Sequence, residues 1–135
     1  MPFTRIISPQ GRSESELERI SEVLHQALVS HFDVPEKDRF QVIEQPPKNH
    51  LLFDADYLSE KPRSAQQLLF QITAGKPRSD ATREGFYQEL TKQLAATVGQ
   101  RPEDVMVIIT SNSASEWSFS GGLSLPAALA SKVSA

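Results

Sequence analysis

Leu68-Leu69-Phe70-Gln71-Ile72-Thr73, followed by Gly75-Lys76-Pro77-Arg78-Ser79, decides how this chain is read. A run of apolar and β-branched residues predicts a strand, and Gly and Pro predict the turn that closes it. Beyond the turn, Phe86, Tyr87, Leu90, Leu94 and Val98 recur at helical spacing. Ser79 is placed to cap that helix, Asp80 suits the positive end of its dipole, and Gly99 ends it. Pro102-Glu103-Asp104 then makes a turn into a second β-like run, Val105 to Thr110.

The same succession occurs once before. Phe3 to Ile7 is β-like, Gly11-Arg12-Ser13 again ends a turn in Arg-Ser, and Leu17, Ile20, Leu24, Ala27, Leu28 and His31 form a helical stripe. Ser13 and Glu16 have capping-box spacing. Pro35-Glu36-Lys37-Asp38 leads into a run from Arg39 to Ile43. The chain is therefore a duplication of a β-α-β unit, Phe3 to Ile43 and Leu68 to Ile109.

A strand, crossover helix and strand give parallel neighbours with a right-handed connection. Two such units predict an α/β (α+β) fold: a four-stranded mixed sheet with two helices on one face. The other face stays bare. Its apolar residues, drawn from Phe70, Ile72, Val107 and Ile109 in whichever phase points outward, need cover, and self-association supplies it. Gln45 to Ala65 reads as a long Pro-rich connection with room for one short strand. The tail carries Trp117-Ser118-Phe119, a turn at Gly121-Gly122, and a small apolar stretch, Leu125 to Val133, of short-helix character.

Composition narrows the function. At 135 residues, with 39% hydrophobic and 23% charged residues, one globular domain over 1–135 is expected. The net charge of −3 without a basic face argues against nucleic acid. The absence of cysteine excludes disulfides and thiolate chemistry. No apolar run reaches membrane-spanning length and no secretory leader is evident, so a cytoplasmic protein is expected. His25, His31 and His50 lack ligand spacing, so no metal is expected; His31 falls at a helix end and His25 is read as solvent-facing. Phosphate loops and dinucleotide fingerprints are missing, and no cofactor is expected.

Three features could carry chemistry. Removal of Met1 would leave Pro2 with a free secondary amine, and an α-amino group titrates near pH ~8, where it can serve as acid, base or nucleophile. Lys76 and Arg78 project from a strand end beside a helix N-terminus, a geometry for a carboxylate or simply two solvated cations. Asp38 lies at the turn entering the second β-like run, where its plain reading is a turn acid paired with Lys37 or Arg39. Trp117 and Phe119 alternate, so both rings face one way on extended backbone, against a pocket or a subunit contact.

These segments together resemble the tautomerase superfamily, and within it malonate semialdehyde decarboxylase and its relatives. The resemblance spans about residues 2 to 120. It is carried by Val34 to Gln41, Lys76-Pro77-Arg78-Ser79, Pro102-Glu103-Asp104-Val105, and Thr110-Ser111-Asn112-Ser113 with Trp117-Ser118-Phe119. It implies a homotrimer, Pro2 and Asp38 as catalytic groups, Arg78 on a substrate carboxylate, and Trp117 and Phe119 lining the pocket. Lys76 stands where the decarboxylases have a second arginine; it keeps the charge and loses the planar fork. The implied activity is on a small carboxylate-bearing oxo or enol acid, by keto–enol tautomerisation or 3-oxo acid decarboxylation. The alternative is a non-catalytic trimeric binding or regulatory protein that retains the carboxylate pocket.

Overall fold

The computed structural model describes residues 1–134; Ala135, the last residue of the expected domain, lies outside them. The first unit comprises β1 (Pro2–Ile7), α1 (Glu14–Phe32) and β2 (Phe40–Glu44). The second comprises β3 (Leu68–Ala74), α2 (Asp80–Val98) and β4 (Val105–Ser111), and a tail helix, α3, spans Leu125–Ser134. The sheet runs β2-β1-β3-β4. β1 and β2 are parallel, as are β3 and β4, while β1 and β3 pair antiparallel at the centre.

The duplication extends to residue register. Numbers rise by 66 from Glu14 to Asp80 and from Phe32 to Val98, the ends of two 19-residue helices. The same shift carries the Phe3–Phe40 pair of β1 and β2 onto the Leu69–Met106 pair of β3 and β4. Both helices start on a serine whose side chain accepts a backbone N–H, from Glu16 to Ser13 and from Thr82 to Ser79. Both end in a left-handed residue, Asp33 and Gly99. Glu16 forms only half of a capping box, because its carboxylate takes a hydrogen bond from Arg12 instead.

Helix stripes and one phase of the central strands meet in the core. Ile6, Leu68, Phe70 and Ile72 pack with Ile20, Leu24, Leu28, Phe32, Phe86, Leu90 and Leu94, all essentially without solvent exposure. A buried side chain of this size contributes about 1.5–3 kcal/mol. Val107 and Ile109 pack against the same cluster, so the phase containing Phe70, Ile72, Val107 and Ile109 faces the helices. The bare face carries the alternate phase. Val42, Met106 and Ile108 lie exposed on it, with Phe40 at 46%. Arg5 bridges this face: its guanidinium donates to both carboxylate oxygens of Glu44, at 2.7 and 2.8 Å, and to Gln71 at 2.9 Å.

Two further readings need correction. The connection after β2 forms a 3-10 turn at Lys48–His50 and no strand among the described residues; Pro46 and Pro47 lack the N–H groups a strand would need. His25 is buried at 3% exposure, not solvent-facing. No helix among the described residues is long and apolar enough to cross a membrane.

Candidate active site

The turn before β2 is tied to α1 at two points. His25 Nε2 lies 2.7 Å from the Glu36 carbonyl, which satisfies the buried imidazole and anchors the turn. Arg39 donates to Glu22 at 2.6 Å and to Ser21 at 2.8 Å. Asp38, between these anchors, donates its backbone N–H to the Pro35 carbonyl at 3.0 Å. Its carboxylate pairs with neither Lys37 nor Arg39. Oδ2 accepts from the α-amino group of Met1 at 2.9 Å, while Oδ1 is buried and has no partner among the described residues.

The loop between β3 and α2 brings a guanidinium to the same place. Arg78 lies over the Phe32 ring, 4.8 Å from its centroid, and donates to the carbonyls of Lys76 at 2.9 Å and Phe32 at 2.8 Å. The Phe32 carbonyl belongs to the C-terminal end of α1, which lacks helical donors. Arg78 thus caps one helix end while sitting at the start of another. Two of its five N–H groups are used this way among the described residues. Partial burial pushes its pKa down, and the charge of Asp33 opposes that shift.

Met1 continues the β1 strand beyond Pro2. Its carbonyl accepts from Gly75 N–H at 2.8 Å. Pro2, buried at the first position of β1, has an amide nitrogen while Met1 is attached. A cavity of about 540 Å³ opens beside this end of the sheet. Met1, Asp33, Asp38, Lys76 and Arg78 form its polar side, and Pro35, Phe40, Phe119, Leu125 and Leu129 its apolar side. Phe119 stacks on Trp117 with centroids 5.4 Å apart, and its ring also meets Phe40 at 5.2 Å. Trp117 stands behind Phe119 rather than among the lining residues; its indole N–H donates to Asn112 Oδ1 at 2.6 Å.

The opposite end of the sheet is the duplicated counterpart, and it is filled. Shifting Arg78 and Asp38 by the same 66 residues reaches Arg12 and Asp104. Arg12 donates to Ser8, Glu16, the Gln66 carbonyl and Gln100. Asp104 accepts from the backbone and hydroxyl of Ser64 at 2.7 and 2.6 Å. There the connecting chain runs through the space that the end at Met1 leaves open. A family model described as a tautomerase enzyme matches residues 38–120, and a second of the same description matches residues 2–61.

The chain belongs to the tautomerase family. It is an enzyme of that superfamily by its relatives. The probable tautomerase YusQ of Bacillus subtilis (strain 168) is 32% identical over 90% of this chain and 95% of its own length. The probable tautomerase YrdN of the same organism is 31% identical over 90% and 93%. Among solved structures, malonate semialdehyde decarboxylase studied in wild-type, mutant and inactivated forms superposes with a TM-score of 0.84 at 29% identity, covering 90% of this chain and 92% of that one. FG41 malonate semialdehyde decarboxylase inhibited by 3-bromopropiolate gives 0.83 at 26%, covering 90% and 91%. A fused 4-OT symmetric trimer shares the fold at 17% identity, with a TM-score of 0.70 over 93% and 98%.

Of the site residues expected from sequence, Asp38, Lys76, Arg78 and Phe119 line one cavity, and Pro2 lies one residue from it. Sequence reasoning missed Asp33, Phe40, Leu125 and Leu129. Phe40 had a signal, being the first residue of β2 two positions after Asp38; the others depend on how the helix ends fold together.

Proposed function

We propose that the enzyme acts after loss of Met1, with the secondary amine of Pro2 as its catalytic group. The observation that carries this reading is the 2.9 Å contact of the α-amino nitrogen with Asp38 in a cavity also lined by Arg78. Without Met1 the chain terminus moves one residue along β1, a step of about 3.8 Å between Cα atoms. An ammonium on Pro2 then remains within the field of Asp38.

The substrate is a carboxylate-bearing oxo or enol acid. Its carboxylate takes the free donors of Arg78 with Lys76 as a second charge, and its carbonyl or enol lies toward Pro2. A neutral Pro2 removes a proton beside the carbonyl and returns it elsewhere, which is keto–enol tautomerisation. A protonated Pro2 donates to the carbonyl oxygen of a 3-oxo acid, so that the carbonyl group takes up the electron pair of the breaking C–C bond as carbon dioxide leaves, giving an enol. Asp38 orients the amine or a water through its unpaired oxygen. Phe119, backed by Trp117, walls the site against water and strengthens each of these charge interactions. Tautomerisation is the broader assignment, because Lys76 lacks the fork of a second arginine.

The chain forms a single domain, and the assembly is a homotrimer closed through the bare sheet face. Val42, Met106 and Ile108 on that face support it, as does the trimer of the fused 4-OT relative. Processed protein assayed on the enol of phenylpyruvate and on malonate semialdehyde tests the reading. Turnover of either, with at least about a hundredfold loss in Pro2→Ala, is expected. Equal activity of Pro2→Ala overturns it.

A further inference from the structure

Asp33 stands where the local backbone gains nothing from an acid. It follows α1 with φ 58° and ψ 36°, in the left-handed region, and its N–H donates to the Leu28 carbonyl. Gly99 holds the equivalent position after α2, at φ 68°. Glycine takes this conformation freely, whereas a side chain strains it. A negative charge at a helix C-terminus also opposes the helix dipole. Neither effect is offset locally, because the Asp33 carboxylate makes no hydrogen bond and no ion pair among the described residues. A strained residue without a local reason points to a role in the site it borders.

That site is the cavity. Asp33 lines it with Asp38, Lys76 and Arg78, and its side chain is exposed there. Burial pushes the Arg78 pKa down, and the charge of Asp33 acts against that shift, so the two groups feel each other. Lys76 and Arg78 supply two positive charges, Asp33 and Asp38 two negative ones, and the ammonium of the chain terminus adds one positive charge. One substrate carboxylate balances this set. A second would leave a negative charge uncompensated beside Phe40, Phe119 and Leu129, on an apolar wall where unpaired charge is costly. With Asp33 made neutral, the same set would balance a dianion.

We propose that Asp33 is a specificity-determining residue: its carboxylate sets the charge that the cavity accepts, admitting monocarboxylate oxo or enol acids and disfavouring dicarboxylates. The inference rests on the reading above that Arg78 holds the substrate carboxylate. Discrimination of this kind comes from repelling the wrong ligand as much as from attracting the right one. Because Asp33 is exposed, salt screens its effect, which is largest at low ionic strength.

Crotonate and fumarate test it. They share a trans carbon–carbon double bond, and fumarate carries a second carboxylate where crotonate has a methyl group. Both have olefinic protons whose broadening, titrated against processed protein at low ionic strength, gives a dissociation constant. Crotonate is expected to bind about tenfold or more tightly than fumarate. In Asp33→Asn the two constants should come within about threefold of each other, chiefly through tighter fumarate binding. Fumarate binding as tightly as crotonate in the parent protein overturns the inference, and so does a ratio that survives Asp33→Asn. Arg78→Ala separates this inference from the reading beneath it: crotonate binding should be lost. Crotonate binding that persists in Arg78→Ala, or no binding of either acid to the parent, overturns the carboxylate site itself and this inference with it. As a second measure, Asp33→Gly is expected to melt no lower than the parent, since glycine relieves the left-handed strain. A clear fall in Tm would assign Asp33 to the fold instead and contradict the proposal.

Discussion

The α-amino nitrogen of Met1 and the Oδ2 atom of Asp38 are 2.9 Å apart, on a turn that His25 and Arg39 tie to α1. The chain terminus is therefore met by a carboxylate whose position does not depend on the terminus. Asp38→Asn keeps the shape and removes the charge. Its kcat/KM on an enol acid is expected to fall about a hundredfold or more, with thermal stability nearly unchanged. Steady-state kinetics and a melting curve on the same sample check both halves.

Arg78→Ala is expected to act mainly on binding. Hydrogen bonds to a charged group contribute about 2 kcal/mol, or roughly thirtyfold in affinity. KM for a carboxylate substrate should rise by that order, while the corresponding ester, already weak, should change little. Arg78→Lys should recover only part of the loss, because an ammonium lacks the planar fork. Equal KM values for acid and ester in the parent enzyme would show that no carboxylate is held.

The counterpart residues at the filled end of the sheet should behave in the opposite way. The Arg12 side chain is 5% exposed and bonded to four groups, and Asp104 is buried on Ser64. Arg12→Ala and Asp104→Ala are each expected to destabilise the fold by about 2 kcal/mol or more while kcat/KM stays within about threefold. Denaturant melts and kinetics of the four variants Arg12→Ala, Asp104→Ala, Asp38→Asn and Arg78→Ala separate the two ends. Loss of activity without loss of stability in Arg12→Ala would contradict the division.

How much of this was legible in the sequence follows from the range over which each signal acts. Helix limits came from local chemistry: Ser13 and Ser79 cap as read, and Gly99 adopts the left-handed terminus. The mixed four-stranded sheet followed from the duplication, its strand order excepted. The phase of the sheet did not, because Phe70, Ile72, Val107 and Ile109 alternate with Leu69, Met106 and Ile108, which are apolar too. His25 adjoins the apolar stripe at Leu24 and is buried by a carbonyl 11 residues away, a partner that no helical pattern reveals. Asp38, Arg78 and Phe119 could be named from the resemblance, but their convergence with Leu125 and Leu129 is a property of the folded chain.

Acid should act on the bare face through Glu44. Arg5 holds that carboxyl below the ordinary glutamate value near 4.5, chiefly by hydrogen bonding. A depressed folded pKa contributes stability that is present above the unfolded value and is lost as pH falls through the folded one. Below about pH 4.5 this contribution should fade, and Glu44→Gln should flatten that part of the acid limb in a pH series of melting temperatures. An unchanged acid limb in Glu44→Gln would show that the Arg5 pair has no bearing on assembly or stability.

The central claim is that catalysis needs an unblocked Pro2 nitrogen opposite Arg78. Preparations with graded retention of Met1, quantified by intact mass, test it when each is assayed on the enol of phenylpyruvate. Activity is predicted to rise in proportion to the fraction of chains that begin at Pro2 and to extrapolate to zero when every chain keeps Met1. Full activity in protein that retains Met1 throughout would contradict the account.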